Sequence, residues 1–542
     1  VKLIIDKENE INNSVNESYY KITGFLSSLK DKSNKLESIL YELDKEKTKN
    51  SYKGDILKLE NSSKIEKLLN ILSESKYIVN LIEDKNSFRN PSPPFITSSL
   101  QQEASRKFGL NVKTTMTIAQ KLYEKGHITY MRTDSNNLSD EALKSCENYI
   151  KNQFGKEYHN KKKYDSKSKN AQEAHEAIRP THIEKDKIEG DELQKKLYSL
   201  IWKRTVASQM SSAKISVNNI YIDITHNKLL PYYFLATNET ITFEGFLKVY
   251  NIKSEDEEEL KKSNINFKKK DELNYDQIIG KKEYPKSLGR YNEANLVKKL
   301  EDFGIGRPST YANIINKIQE REYVKKVDLP GEEKEIKIAT LMPDKIIKWT
   351  NSKTTLGKEK QKLIPTEIGK TVTQYLNENF DYLMDYKFTS NMENKLDDIA
   401  NGNINWLNIL KKFYEDLNPK IELLLKDKIK FVNSNEKLLG KNKDDCEIFA
   451  TVSKYGPVIK LLDGKKIKYA SIEKPLTIDN ITLEQALELL QYPKVLGKYK
   501  DKEILLAKGK YGYYCKYDEK NYPVENNNIK LDDVIKLIEF KS

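Results

Sequence analysis

The sequence predicts a multidomain α+β protein, and three observations lead to this fold class. The chain has 542 residues, enough for about three or four domains with buried cores. Apolar residues recur at helical spacing in the first 215 residues, as at Ile65, Leu68 and Leu72, whereas residues 216–285 alternate apolar and polar side chains as strands do. Near the C-terminus a pattern of strands followed by a helix occurs twice.

The first 92 residues are polar, with apolar patches. Residues 1–5 read as the middle of a strand, and the chain starts at Val1 without an initiating Met, so we expect that an N-terminal portion precedes this sequence. A helix-like patch at residues 78–82 follows the one at Ile65. Three prolines within residues 91–94 then predict a boundary, because proline fixes φ and removes a backbone donor.

Two helices are predicted directly after this boundary. The hydroxyl side chains of residues 97–99 can cap the first helix, which should stop at Gly109. Thr114 or Thr115 can cap the second helix, and Gly126 follows it where a left-handed C-terminal residue is typical.

Tyr130 and Arg132 come next and are the first residues that suggest chemistry. Residues 128–131 are β-formers, and on a strand residues two apart share a face, so the Tyr130 hydroxyl and the Arg132 guanidinium can approach one phosphate. A phenolate nucleophile at neutral pH needs such a cation beside it. The alternative is a half-buried edge strand with a surface arginine, and the pair alone does not exclude it.

A second pair of polar residues, His175 and Arg179, is spaced four apart and ends at Pro180. If the segment is helical, the two side chains share a face, although such a pair is more often an ordinary surface pair. A buried amphipathic helix is predicted over residues 197–210.

The stretch 303–311 combines glycines with Arg307, Ser309 and Thr310. Ser309 or Thr310 can cap the next helix, and a helix N-terminus beside Arg307 is suited to phosphate, but a well-capped helix explains the pattern equally well. Residues 108–128 recur in outline 196 positions later, which predicts two helix-turn-helix-like modules, one presenting Tyr130 and one Arg307.

Helices are also expected over residues 363–414, closing a core. Beyond them, residues 454–457 recur as 510–513, and the helical pattern of residues 483–490 recurs at 531–538. Exposed Tyr and Lys in these repeats suit stacking on single-stranded bases, although turn packing by Tyr-Gly explains them as well.

The composition narrows the class of binding partner without identifying the partner. Lys and Arg exceed Asp and Glu by 94 to 81, which favours a polyanionic partner, but an AT-rich coding sequence also produces such a bias. The three cysteines, Cys146, Cys446 and Cys515, lie too far apart for a zinc ribbon or a disulfide framework, so a reducing compartment and no zinc are expected. We find no signal peptide and no apolar run of ~18 residues, so no membrane partner is expected.

Taken together, four motifs resemble the type IA DNA topoisomerases, in particular the bacterial topoisomerase I branch. They occur in the family's order at residues 93–104, 130–135, 175–181 and 304–312, and the similarity extends over nearly the whole chain. The resemblance implies a toroidal core with helix-turn-helix or winged-helix-like modules, a β-rich arch and small C-terminal α/β repeats. It also implies transient cleavage of one DNA strand through a 5′-phosphotyrosine, followed by strand passage and religation, which relaxes negative supercoils without ATP.

The resemblance also assigns roles to residues. Tyr130 is the expected nucleophile, Arg132 steers the phosphate, and His175 binds the strand near the scissile position. Contacts to single-stranded or negatively supercoiled DNA are expected from a further group of residues: Gln102, Arg106, Arg179, Arg290, Arg307, Ser309 and Thr310.

One departure from the family concerns the metal. The family has a Toprim domain with a glutamate acid/base and a D-x-D-x-E cluster for Mg²⁺, and neither is found here; residues 444–447 have the wrong spacing. We therefore expect a fragment or one part of a split enzyme, inactive until a Toprim domain is supplied in cis or in trans.

The resemblance suggests four domains: residues 1–30 with 286–415 as a strand-binding base, 31–92 with 216–285 as a β-rich arch, 93–215 as the nucleophile-bearing domain, and 416–542 as the repeats. The alternative function is a clamp that binds single-stranded DNA without cutting it. A bacterial cytoplasm with its nucleoid, an organelle and a virus all fit the sequence.

Overall fold

The fold was analysed in a computed structural model. It describes residues 1–14, 17–44, 52–164, 175–250, 267–285, 287–426, 436–453, 456–463, 466–472, 476–478, 480–509, 512–518, 520–526 and 528–541. The chain forms two compact units. The larger unit contains residues 3–320 and 325–364, and the smaller unit contains residues 1–2, 321–324 and 365–542. None of the described helices is long and apolar enough to cross a membrane.

A closed ring of six antiparallel strands is the main β-structure of the larger unit. In the order of pairing, its strands are Tyr19–Ser28 (β1), Lys35–Leu43 (β2), Lys228–Phe243 (β6), Ala213–His226 (β5), Lys76–Arg89 (β4) and Glu272–Glu283 (β7), and β7 pairs with β1 to close the ring. Inward-facing aliphatic side chains such as Ile22, Leu40, Val79 and Ile222 fill it, which explains the alternating sequence pattern. The strands of this unit are β1 Tyr19–Ser28, β2 Lys35–Leu43, β3 Gly54–Ile56, β4 Lys76–Arg89, β5 Ala213–His226, β6 Lys228–Phe243, β7 Glu272–Glu283, β8 Val324–Leu329 (which begins in the smaller unit), β9 Glu332–Leu341, β10 Ile347–Leu356 and β11 Glu359–Pro365.

A helical domain, here called the tyrosine module (residues 93–212), is inserted between β4 and β5. Its apolar core includes Phe95, Leu100, Leu122 and Trp202. The chain leaves the ring at Arg89 and returns at Ala213, and these two residues are paired in the sheet. Its helices are α3 Thr97–Phe108, α4 Val112–Glu124, α5 Asp140–Phe154 and α6 Glu192–Ser208, and it contains a short 3-10 turn at Lys156–Tyr158. A second 3-10 turn, Gly245–Lys248, follows β6 outside the module.

The predicted internal repeat is visible in the helices. In the tyrosine module, α3 is followed by the left-handed Gly109 (φ 64°) and α4; in the second copy, α7 (Glu293–Asp302) is followed by Gly304 (φ 65°) and α8 (Tyr311–Glu320). The equivalent helices pack on one another, α3 on α7 and α4 on α8. The two modules therefore contact each other through corresponding surfaces.

The smaller unit contains the predicted C-terminal repeats. Each repeat is a four-stranded antiparallel sheet followed by a helix, which confirms the predicted duplication, although residues 454, 455, 510 and 511 of the recurring motif lie outside the described residues. The first repeat comprises β12 Lys437–Lys441, β13 Glu447–Ser453, β14 Gly456–Asp463, β15 Lys466–Ser471 and α12 Leu483–Leu489. The second comprises β16 Lys494–Tyr499, β17 Lys502–Gly509, β18 Gly512–Tyr517, β19 Lys520–Pro523 and α13 Leu531–Lys541.

The helices predicted over residues 363–414 are present, but they do not close a core as expected. They are α9 Glu367–Asn379, α10 Phe388–Ala400 and α11 Trp406–Lys426. Large apolar side chains of α11 are exposed, among them Trp406, Leu410 and Tyr414.

Two other local predictions were wrong. Residues 1–5 belong not to a strand but to helix α1 (Lys2–Asn12), whose Leu3 and Ile4 are buried. The apolar patch at residues 78–82 is part of strand β4, because the ladder to β5 overrides its helical spacing, whereas the patch from Ile65 forms the predicted helix α2 (Ser62–Ser73).

The predicted helix signals of the tyrosine module were partly correct. Gly126 adopts a left-handed φ of 70° directly after α4, as expected. The cap of α4 is Asn111, whose side chain accepts from the Thr114 N–H, so neither Thr114 nor Thr115 caps it. At α3 the Ser99 hydroxyl accepts from the Ile96 N–H, whereas the Thr97 hydroxyl donates to the Met131 carbonyl.

Candidate active site

Tyr130 lies in an irregular loop, not on the predicted strand. Of residues 128–131, for which a strand was predicted, only Ile128 forms a β-bridge, and its partner is Pro180. The expected alternation of side chains is nevertheless present: Tyr130 and Arg132 are exposed, and Met131 between them is fully buried. Within the described part of the chain, Arg132 forms no ion pair, so its guanidinium is available to a phosphate beside the tyrosine.

Hydrogen bonds from Thr97 replace the missing sheet ladder on one side of the loop. The buried Thr97 hydroxyl donates to the Met131 carbonyl (2.7 Å) and accepts from the Thr133 N–H (2.9 Å). The Thr97 N–H donates to the Thr133 carbonyl (3.0 Å). These bonds hold the backbone on both sides of Arg132 against the start of α3. Sequence reasoning missed this role and assigned Thr97 to a helix cap.

Thr129 fastens the other side of the loop to residues 177–180. Its hydroxyl donates to the Ala177 carbonyl (2.7 Å) and accepts from the Arg179 N–H (3.0 Å), and its own N–H donates to the Arg179 carbonyl (2.9 Å). Tyr130 is therefore preceded and followed by tightly bonded residues. Its ring packs edge-on against Tyr123 of α4, with 5.3 Å between the centroids.

The His175–Arg179 segment is extended, so the condition under which the two side chains would share a helix face is not met. Arg179 precedes Pro180, which disfavours helical backbone, and Ile178 pairs with Phe95 instead. The extended path still brings this segment against the Tyr130 loop, as the Thr129 bonds show. His175 is exposed at its start.

Arg179 is engaged by a neighbouring carboxylate and is mostly buried. Its guanidinium donates to Glu176 (2.7 and 3.2 Å), and Glu176 also accepts from the Ser139 N–H (2.6 Å). Burial alone would raise the pKa of Glu176, but the hydrogen bonds from Ser139 and Arg179 outweigh it and hold the pKa below its ordinary range. The pair fixes the segment that carries His175. DNA contact by Arg179 stays a prediction.

Arg307 lies in the turn before α8. Gly306 has a φ of 85°, and a side chain there would crowd Thr310, Tyr311 and Ile314. The Thr310 hydroxyl accepts from the N–H of Arg307 (2.8 Å), which precedes α8, so Thr310 stabilises the turn; Ser309 is exposed, and a cap of α8 by either residue stays a prediction. The turn thus presents an arginine next to a helix N-terminus.

Two carboxylates of α7 contact the tyrosine module. Glu301 accepts from the Ser98 hydroxyl (2.7 Å), and Glu293 accepts from the Val112 N–H at the start of α4 (3.2 Å). Burial raises the pKa of Glu301, and the nearby Asp302 and Asp134 carboxylates raise it further. Since Asp134 belongs to the Tyr130 loop, α7 lies close to that loop. No sequence signal marked Glu301 as part of this contact.

The remaining predicted DNA contacts lie in two places. Arg290 is held between two glutamates, Glu8 (2.7 and 3.1 Å) and Glu359 (3.0 Å), so it has structural partners that the sequence did not reveal. Arg106 donates to Glu103 on α3 (2.7 Å), and Gln102 beside it is half-buried. A phosphate role for these residues stays a prediction.

The metal expected for the family was tested against the side chains present. Among the residues that the structure describes, no group of three or more His, Cys, Asp or Glu side chains could hold a metal ion. Two carboxylates near the Tyr130 loop, Glu176 and Glu301, also have protein partners. The described residues therefore do not fit a Mg²⁺ site.

Comparisons with known proteins show similarity to DNA topoisomerases. A family model described as DNA topoisomerase matches residues 1–356 and 342–411, and one described as topoisomerase C-terminal repeat matches residues 442–500. A DNA topoisomerase 1 of prokaryotic type from Acanthamoeba polyphaga mimivirus is 43% identical over 575 residues, covering 100% of this chain and 66% of that protein. DNA topoisomerase 1 from Rickettsia bellii is 34% identical over 640 residues, covering 100% of this chain and 74% of that protein.

A solved structure is also similar. Full-length topoisomerase I from Thermotoga maritima superposes with a TM-score of 0.59 at 27% identity, over 87% of this chain and 70% of that one. The chain thus spans about two thirds to three quarters of the length of these relatives. It belongs to the type IA DNA topoisomerases.

Proposed function

We propose that this chain carries the nucleophile and part of the strand clamp of an enzyme that relaxes negatively supercoiled DNA. The observation that carries the proposal is the presentation of Tyr130 and Arg132 on either side of the buried Met131, in a loop fixed by Thr97 and Thr129. A site that only bound DNA would not need a tyrosine hydroxyl two residues from an arginine that forms no ion pair within the described residues.

The chemistry follows from these two side chains. The Tyr130 oxygen attacks the phosphorus of a DNA phosphodiester, the bond to the 3′ oxygen breaks, and the 5′ phosphate stays on the tyrosine. Arg132 steers the phosphate and stabilises the charge that develops on it, and His175 binds the strand close by. The 3′ hydroxyl later attacks the phosphotyrosine and restores the strand. The phosphotyrosine keeps the energy of the broken bond, so ATP is not needed.

A Toprim domain, in cis or in trans, completes the site in this proposal. The leaving 3′ oxygen needs a proton, and in this proposal neither Tyr130, Arg132 nor His175 supplies it. The Toprim domain would provide that acid together with Mg²⁺. No step assigned to Tyr130, Arg132 or His175 uses the metal.

Plasmid relaxation tests the proposal. The chain alone with Mg²⁺ should leave negatively supercoiled plasmid unchanged, and addition of a Toprim polypeptide should restore relaxation. Tyr130→Phe should abolish the restored activity, whereas Tyr123→Phe, which changes the neighbouring ring in the same way, should retain most of it. Relaxation by the isolated chain would refute the need for a separate metal site. Full activity of Tyr130→Phe would refute the nucleophile, and failure of the Toprim polypeptide to restore relaxation would favour a clamp that does not cleave.

A further inference from the structure

A basic cavity lies immediately before the Tyr130 loop and belongs to none of the site features described above. It has a volume of about 430 Å³ and is formed by the C-terminal end of α4 and residues 181–189. Its cationic and imidazole side chains are Lys125, His127, His182, Lys185 and Lys187.

The lysines of this cavity are not paired with carboxylates within the described residues, whereas the imidazole of His182 lies 3.2 Å from Glu184. Within the described residues, Lys125, Lys185 and Lys187 form no ion pair, and Lys125 donates instead to the neutral Gln194 amide (3.1 Å). Glu189 is the one acidic residue among those that line the cavity. Lysines left without carboxylate partners around a concave surface are suited to an anion.

The imidazole of His127 shows that these charges converge. Burial lowers the pKa of His127, and the charges of Lys125 and Lys185 lower it further. Lys125 comes from the end of α4 and Lys185 from the 181–189 loop, so both elements direct positive charge at the same ring. The Thr181 hydroxyl joins these elements by donating to the Gly126 carbonyl (2.7 Å).

The cavity is close to the proposed nucleophile. His127 precedes Tyr130 by three positions, so their Cα atoms are at most ~11 Å apart even for extended backbone. Successive phosphates of one DNA strand rise ~3.4 Å along a helix, so a strand that leaves Tyr130 toward the cavity reaches it within about three nucleotides.

We propose that this cavity binds backbone phosphates of the DNA strand whose 5′ end is attached to Tyr130. The choice of strand rests on the proposed function. After cleavage, the phosphotyrosine alone would let this strand rotate about single bonds. Contacts from Lys185 and Lys187 to the next phosphates fix the direction of this strand. The 3′ hydroxyl of the other cleaved end can then return to the same phosphorus.

A tethered strand tests the cavity without requiring activity. In a Cys446→Ser background, Tyr130→Cys provides a thiol for a disulfide to a 5′-thiol oligonucleotide with a 3′ fluorophore; the other two cysteines, Cys146 and Cys515, are buried. The short tether raises the local DNA concentration to the millimolar range, so weak phosphate contacts become measurable. Fluorescence anisotropy then reports whether the strand is held.

With two phosphate contacts, the ratio of held to free strand should fall about 25-fold between 50 and 500 mM salt, since each contact on a single strand contributes a slope of about 0.7. Lys185→Ala with Lys187→Ala should free the strand and remove most of this salt dependence. Lys195→Ala with Lys196→Ala, an equal charge change at exposed positions of α6, should behave like the parent.

Equal strand mobility in the cavity variant and the α6 control would overturn the proposal. The tether places the strand at position 130 whether or not the native tyrosine cleaves DNA, so that result would leave the plasmid test of Tyr130→Phe unaffected. Conversely, a strand held by Lys185 and Lys187 would support the cavity even if the plasmid test failed.

Discussion

Thr97→Val is the substitution that tests most directly how the Tyr130 loop is held. The change keeps the shape of the side chain and removes the hydroxyl. The Met131 carbonyl then loses its donor and the Thr133 N–H its acceptor, while the bond from the Thr97 N–H to the Thr133 carbonyl remains. A buried polar group left unpaired costs about 1–3 kcal/mol, so two of them should lower the local stability by about 2–6 kcal/mol.

Hydrogen exchange of the full chain measures this change locally. A loss of about 2 kcal/mol corresponds to roughly 30-fold faster exchange for residues 128–136, because each 1.4 kcal/mol is a factor of ten. Thr97→Ser keeps the hydroxyl and should restore most of the protection. Thr205→Val on α6 removes another buried hydroxyl and should leave these residues unchanged. Unaltered exchange of residues 128–136 in a folded Thr97→Val protein would refute the assignment of Thr97 as a positioning residue.

Three further predictions concern charged side chains. The pKa of the Glu176 carboxyl is lower in the folded state than in the unfolded chain. The carboxylate therefore stabilises the fold at pH values above its unfolded pKa of ~4.3, and this stabilisation is lost as the pH falls through its folded pKa. Glu176→Gln should flatten the decline of the melting temperature between pH 6 and 3. Arg290→Ala removes the guanidinium between Glu8 and Glu359 and should lower stability by about 1–3 kcal/mol in thermal melts, although Glu359 keeps Lys362; a smaller salt slope of single-stranded DNA binding would support the predicted phosphate contact, and an unchanged slope would contradict it. Arg307→Ala should lower that slope by about 0.7 while leaving the melting temperature within a few degrees, and an unchanged slope would contradict its phosphate role.

Patterns that depend on neighbouring residues were predicted correctly from the sequence. Gly126 ends α4 because a left-handed residue is needed there, and the alternation over residues 216–243 forms β5 and β6. The exposure of Tyr130 and Arg132 around Met131 was also foreseen, although its cause was not.

Contacts between distant residues explain what the sequence did not show. The Tyr130 loop is irregular because Thr97 and residues 177–180 satisfy its backbone groups, and no local pattern encodes such bonds. Arg290 provides another example, since Glu8 lies 282 residues away in the chain. The extended conformation of Arg179 was foreseeable, because a residue before proline avoids the helical region.

The pairing of Arg89 with Ala213 has a consequence for how the chain could be divided. The tyrosine module begins and ends at neighbouring positions on two adjacent strands, so a short hairpin could replace it without breaking the six-stranded ring. Phe246 and Tyr250, which pack on the module from beyond β6, would then lose their cover and need polar replacements. The nucleophile thus occupies a cassette that could be exchanged between related chains while the ring stays as a common frame.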